Sequence, residues 1–131
     1  MAYLPPFEAL RRTLTVTTRG SEKRVEMPYE QLVSLLKQVL SGIAVDEAWY
    51  LANNEDIAKA VRKGTIASPT QHFIEDGYFE GRAPFPMKVD EAWYLAQYPD
   101  VAEGIRRRAI PSAQAHFDQN GYREGRLPHA L

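Results

Sequence analysis

Cysteine is absent from the 131 residues, which excludes every disulfide frame, thiolate metal site and cysteine nucleophile. The redox compartment stays open. No run of about 18 apolar residues occurs, so no membrane-spanning helix is expected. The opening Met1-Ala2-Tyr3-Leu4-Pro5-Pro6 has neither the basic start nor the apolar core of a signal peptide, and the expectation is a cytoplasmic chain with no membrane partner. Excess charge is missing too: 16 Lys plus Arg stand against 17 Asp plus Glu, a net charge of -1. Any attraction for nucleic acid must therefore be local. There is no Gly-rich phosphate loop, nucleophile elbow, zinc-finger spacing or paired-acid motif, and the histidines form neither His-x-x-x-His nor His-Glu-x-x-His. The reading is a chain that is not an enzyme and carries no metal and no cofactor. What is present is ordinary globular usage, 44% apolar and 25% charged, on a chain long enough to bury roughly two thirds of its unfolded surface.

An internal repeat organises most of the chain. Displaced by 44 residues, positions 45–84 align without a gap on 89–128, and 21 of those 40 positions are identical. Val-Asp-Glu-Ala-Trp-Tyr-Leu-Ala recurs at 45–52 and 89–96, and His-Phe-x-x-x-Gly-Tyr-x-Glu-Gly-Arg-x-Pro at 72–84 and 116–128. Two copies of one supersecondary unit follow.

Within a copy the punctuation is helical. Asp46 and Asp90 are placed to cap a first helix, with Val45 and Tyr50, or Val89 and Tyr94, as a hydrophobic staple. A second helix starts near Asn54-Glu55-Asp56 or Tyr98-Pro99-Asp100, with proline and acids where a helix N-terminus favours them; Ile57, Ala58 and Val61 face its core. A third starts at Ser68-Pro69-Thr70-Gln71 and is expected to end at Gly77 in the left-handed conformation, with Phe73 and Tyr78 touching across the end; Phe117, Gly121 and Tyr122 repeat the pattern. Ile74 and Phe79 of the first copy become Asp118 and Arg123 in the second, which suggests a polar C-terminal cap, with Phe85, Pro86 and Met87 filling the join.

The first 44 residues differ. Leu14, Val16, Val25 and Met27 alternate around Arg19-Gly20-Ser21-Glu22-Lys23, predicting a β-hairpin. A lone hairpin is marginal in water and must pack on a helix or pair with another chain. The helix expected from about Pro28 to Ser41, stopped by Gly42, carries Leu32, Leu35, Leu36 and Val39 on one stripe with Tyr29, Val33 and Leu40 beside it. So wide a stripe can cap the first repeat on one side and cover the hairpin or a twin helix on the other, which raises a homodimer through residues 7–41.

Trp-Tyr-Leu-Ala-x-Tyr-Pro-Asp-Val-Ala at 93–102, followed by His116-Phe117, Gly121-Tyr122 and Glu124-Gly125-Arg126, resembles a short helical repeat of bacterial proteins that occurs beside glycosyltransferases and in large secreted proteins. The resemblance covers residues 45–128; the first copy departs from it at Asn54-Glu55, where Tyr-Pro is usual. That repeat has no assigned activity. The likeness implies a bacterial origin and an accessory or interaction module, with an association with cell-surface polysaccharide.

Candidate chemistry is sparse. His72 and His116, each followed by a Glu (Glu80, Glu124) and an Arg (Arg82, Arg126), suit a duplicated polar pocket; a framework role, an imidazole bonded to a carbonyl and packed on indole, is the stronger reading because framework must recur in every copy and catalytic sites need not. Arg82 and Arg126 suit an anion clamp or closure onto a helix end and their own Glu. Trp49, Tyr50, Trp93 and Tyr94 suit sugar stacking or core. Arg11, Arg12, Arg19, Lys23 and Arg24 face only Glu22 between positions 11 and 24, a local charge of +4, which fits a basic ribbon for DNA or a solvated edge that discourages pairing. Arg106-Arg107-Arg108 reads as the exposed last turn of a helix.

The sequence thus predicts a mostly α protein: an N-terminal β-hairpin and helix over residues 1–44 as a dimerisation or partner-binding element, then two tandem three-helix repeats, 45–88 and 89–131, forming a short α-solenoid-like body. The expected function is binding another protein as an adaptor or assembly subunit, possible homodimer included. The alternatives are a dimeric DNA-binding regulator using the hairpin and a carbohydrate-binding accessory using Trp49 and Trp93.

Overall fold

The computed structural model describes residues 2–131 and is mostly α, with one antiparallel hairpin near the N-terminus. A short helix the sequence did not announce, α1 (Phe7–Arg11), follows Pro6. Strands β1 (Val16–Arg19) and β2 (Glu22–Val25) pair in the register Val16 to Val25 and Arg19 to Glu22. Gly20 opens the two-residue turn at φ +64°, the left-handed value such a turn demands at its first position. Helix α2 (Tyr29–Leu40) follows.

Each repeat then supplies three helices: α3 (Glu47–Asn53), α4 (Glu55–Arg62) and α5 (Pro69–His72), then α6 (Glu91–Gln97), α7 (Pro99–Arg106) and α8 (Ala113–His116). The expected caps form. Asp46 and Asp90 accept from the amides of Trp49 and Trp93, and Ser68 and Ser112 from those of Gln71 and Ala115, satisfying donors that a helix start leaves free. Pro69 and Pro99 stand in the first turn of their helices.

The third helix does not end as the sequence suggests. It widens into one π-helical turn, Phe73–Gly77 or Phe117–Gly121, closed by the Tyr78 amide on the Phe73 carbonyl at 2.9 Å. The left-handed residue is Gly81 (φ +82°) or Gly125 (φ +81°), four residues later. There the Arg82 amide bonds the Gly77 carbonyl (2.9 Å) and the Gly81 amide the Tyr78 carbonyl (3.1 Å), which is the Schellman pair of bonds, and Gly125-Arg126 repeats it. Gly77 and Gly121 are needed for space instead: a Cβ on either would collide with the hydroxyl of Tyr50 or Tyr94.

Each repeat closes on itself. The Asp46 amide bonds the Pro84 carbonyl (3.0 Å) and the Asp90 amide the Pro128 carbonyl (2.9 Å), tying the start of each unit to its end. Each also has a core of its own, Tyr50, Ile57 and Phe73 with Leu40 in the first, Val89, Tyr94, Val101, Ala113 and Phe117 in the second. The body is two closed three-helix units in tandem, each around a core of its own.

The face bearing Ile74 and Phe79 looks back toward α2, not forward to the second repeat. Ile74 joins the core that Leu40 of α2 enters, Lys37 lies 5.9 Å over the Phe79 ring, and Lys37 pairs with Glu75 at 2.9 Å. Asp118 and Arg123, on the same face of the second repeat, therefore line the cleft between the repeats and do not form a C-terminal cap. Charge there reflects an open cleft on that side.

Candidate functional site

The identical residues of the two copies build one polar chain twice. Tyr50, fully buried, meets His72 Nδ1 through its hydroxyl at 2.9 Å, and Tyr94 meets His116 Nδ1 at 2.8 Å. The other imidazole nitrogen faces a carboxylate: His72 Nε2 lies 3.6 Å from Glu80, His116 Nε2 3.8 Å from Glu124. The imidazole partner is thus tyrosine, not the carbonyl and indole expected. Arg82 donates to Glu80 (2.9 Å), to Asn54 (2.8 Å) and through both terminal nitrogens to Asp56 (3.0 and 2.8 Å). Arg126 reaches Asp100 at 2.9 and 2.7 Å and Glu124 at 3.3 Å. Each guanidinium thus clamps the acidic N-terminus of the second helix to the end of the third, as the structural reading of these arginines expects.

The electrostatics follow from these contacts. Burial pushes the Tyr50 hydroxyl up to about 12 and raises that of Tyr94. The Arg126 hydrogen bond draws Asp100 down to about 2, and Arg82 lowers Asp56 in the same way. No buried side-chain nitrogen or oxygen among the described residues lacks a hydrogen-bond partner. Such a network positions the helices of each repeat against one another. Among the described residues no group of three His, Asp or Glu could hold a metal ion, and no helix is long and apolar enough to cross a membrane.

The remaining framework residues fall around this chain. Phe73 packs edge-on against Tyr50 (6.0 Å) and Tyr78 (6.1 Å), and Phe117 against Tyr94 (6.1 Å) and Tyr122 (6.0 Å). Trp93 stands edge-on to Tyr98 at 6.2 Å, over which Arg126 also stacks at 4.9 Å. Trp49 instead lines the cleft between the repeats, so the two tryptophans are not equivalent.

That cleft encloses about 550 Å³. Trp49, Asn53 and Arg82 form its first-repeat wall, Tyr122, Asp118 and Arg123 its second-repeat wall, and Phe85, Pro86, Met87 and Lys88 its floor. Met87 doubles as cover for the second core, so the join is only partly filled by this segment. Nothing in the local sequence marks Lys88 and Gln114 as site residues; the signals for the cleft are the exchanges between the copies, Ile74 for Asp118, Phe79 for Arg123 and Asn54 for Tyr98.

The basic hairpin residues do not share a face. In the observed register Arg19, Glu22 and Arg24 lie on one side and Lys23 on the other, and Arg24 pairs with Glu22 at 3.0 Å. Arg11 closes α1 and Arg12 caps it, both exposed. Among the described residues the hairpin makes no extensive contact with any helix; its eight strand residues are exposed apart from the half-buried Val16. The outer side of α2 is equally bare: Tyr29 is 74% and Leu32 43% exposed.

No protein-family model matches the chain, and neither the curated proteins nor the solved structures contain a significant match.

Proposed function

We propose that this chain is a non-enzymatic protein–protein interaction module of bacterial origin, an adaptor or assembly subunit of the cytoplasm, that docks through its N-terminal hairpin and the outer side of α2. One observation carries the reading. Of the twelve large apolar side chains left exposed among the described residues, seven (Tyr3, Leu4, Phe7, Val25, Tyr29, Leu32, Val39) fall in the first 39 residues, around a hairpin that makes no extensive contact with another element. A two-stranded hairpin is marginal on its own, and an apolar surface of this kind marks an interface. The repeats give it a rigid base, because Leu40 anchors α2 in the first core. The dispersal of the basic residues over both hairpin faces weighs against a single ribbon reading a DNA groove.

The test compares wild type with Tyr29→Glu/Leu32→Glu, which leaves Leu40 and the core intact. Mass by light scattering and affinity capture from a bacterial lysate are read together. A dimer or a stoichiometric protein partner, lost in the variant, supports the proposal. A wild-type monomer that recovers no protein but binds duplex DNA, with affinity falling steeply as salt rises and on Arg12→Ala or Arg24→Ala, replaces it with the regulator reading.

A further inference from the structure

The two repeats act as controls for each other. Where the first repeat meets α2, Ile74 packs into the shared core and Phe79, still 39% exposed, lies under Lys37. Where the second repeat meets the first, the same positions are Asp118 and Arg123, and about 550 Å³ stays open. The far side of the cleft shows the same contrast. At the position of Asn54 the second copy has Tyr98, which covers Trp93, accepts from the Leu127 amide at 2.8 Å and lies under Arg126. With asparagine there, Trp49 is left facing the cleft. The chain therefore has one opening that its own repeat pattern would close, and both departures from that pattern border it.

The lining defines the chemistry. Much of its polar surface is committed: Gln114 bonds Val89, Met87 and Asp118, and Arg82 holds Asp56 and Glu80. What remains is specific. Lys88 and Arg123 form no ion pair among the described residues. The Arg123 side chain crosses Gly81, where a Cβ would stand 3.4 Å from its Cγ, so its stem lies against the first repeat. Asn53 uses its amide nitrogen on the Trp49 carbonyl at 2.8 Å and keeps its oxygen free as an acceptor. The indole N–H of Trp49 is a spare donor, and its ring, with Phe85 and Tyr122, supplies apolar surface. Two exposed cations without an ion-pair partner suit an anionic group. The oxygen of Asn53 and the second oxygen of Asp118, whose Oδ1 accepts from Gln114, suit a ligand that also donates, which an aromatic acid does not and a sugar hydroxyl does. A ring with one apolar face completes the match to Trp49.

We infer that the cleft between the repeats binds a short acidic saccharide, its sugar ring on Trp49 and its carboxylate between Lys88 and Arg123. The volume lies within the range of about 300–1,000 Å³ usual for small-ligand sites. This site is separate from the N-terminal docking face and stands or falls independently of it.

The probe is a trimer of a uronic acid, titrated against Trp49 fluorescence in a Trp93→Phe background and checked by calorimetry. Saturable binding is expected, weakened by salt, and weaker by about tenfold or more for Arg123→Gln, the effect of losing one charge-assisted hydrogen bond. Asp118→Ile/Arg123→Phe, which writes the first repeat's sealed face onto the second, abolishes it while circular dichroism stays unchanged. The neutral hexose trimer binds at least about tenfold more weakly. Absence of saturation by a folded protein overturns the inference, as does binding indifferent to Arg123→Gln. Benzoate binding as tightly as the trimer overturns the sugar assignment.

Discussion

Replacing Gly77 with alanine tests the polar chain at its tightest point. The new Cβ would collide with the Tyr50 hydroxyl and approach His72 Nδ1 to 3.4 Å. Tyr50 is fully buried and cannot swing outward. It must give up its 2.9 Å bond to His72, at a cost of about 1–3 kcal/mol for a buried partner left unsatisfied. Forcing a methyl group into the packed site costs about 1–3 kcal/mol more. Alanine's helical advantage over glycine offsets about 0.5–1 kcal/mol. The expected net destabilisation is about 2–4 kcal/mol. Tyr50→Phe removes the colliding oxygen and alone costs about 1–3 kcal/mol, because His72 Nδ1 loses its partner. In the double variant the methyl group takes the vacated space, so the pair costs little more than Tyr50→Phe alone. Urea denaturation of all four proteins, followed by Trp49 fluorescence in a Trp93→Phe background, gives the cycle. Effects that add to within about 0.5 kcal/mol, or a neutral Gly77→Ala, refute the reasoning.

Three further outcomes follow from local geometry. Arg108 sits at φ +61° where the first repeat has Gly64 at +78°, so Arg108→Gly should stabilise by about 0.5–1 kcal/mol; a denaturation midpoint that fails to rise contradicts it. Tyr50 has its folded value raised from 10.0 to about 12, so its contribution is complete below pH 10 and lost as pH climbs through about 12. Tyrosinate absorbance should show Tyr50 and Tyr94 ionising after the exposed tyrosines, and all seven tyrosines titrating together near 10.0 would sink the assignment. Ser68→Ala and Ser112→Ala should each cost about 1 kcal/mol, because the two caps share one geometry; a pair differing by more than about that amount shows unequal roles.

Features decided within one turn of chain were legible. Asp46, Ser68 and their twins cap because a short side chain beside a helix start meets a free amide whatever the tertiary context. The hairpin turn at Gly20 was equally local. The helix end after His72 was not, because a π-helical turn inserts a residue into the hydrogen-bond ladder without altering the apolar pattern. Both Gly77 and Gly81 fit a stop signal, and only the approach of Tyr50 across 27 residues tells them apart. The exchange of Ile74 and Phe79 for Asp118 and Arg123 showed that the face meets different surroundings in each copy. It could not show that the face looks back toward the N-terminus, because stacking direction leaves no trace in a two-copy alignment.

Identity between the copies marks structure here, and difference marks the surfaces still open to function. A group whose main bonds are made inside its own unit is committed to holding that unit together, and that describes Tyr50, His72, Glu80 and Arg82 as well as Tyr94, His116, Glu124 and Arg126. Their duplication follows, since each closed unit needs its own clamp. Positions 74 and 118 and positions 79 and 123 are free of that duty, and together with the exchange of Asn54 for Tyr98 they put polar residues around the cleft between the repeats. The N-terminal 41 residues have no second copy and leave seven large apolar side chains exposed among the described residues. Selection for binding acts where the fold makes no demand, so a partner-specific substitution is expected to spare the Tyr–His–Arg chain and alter α2, the hairpin or the cleft rim.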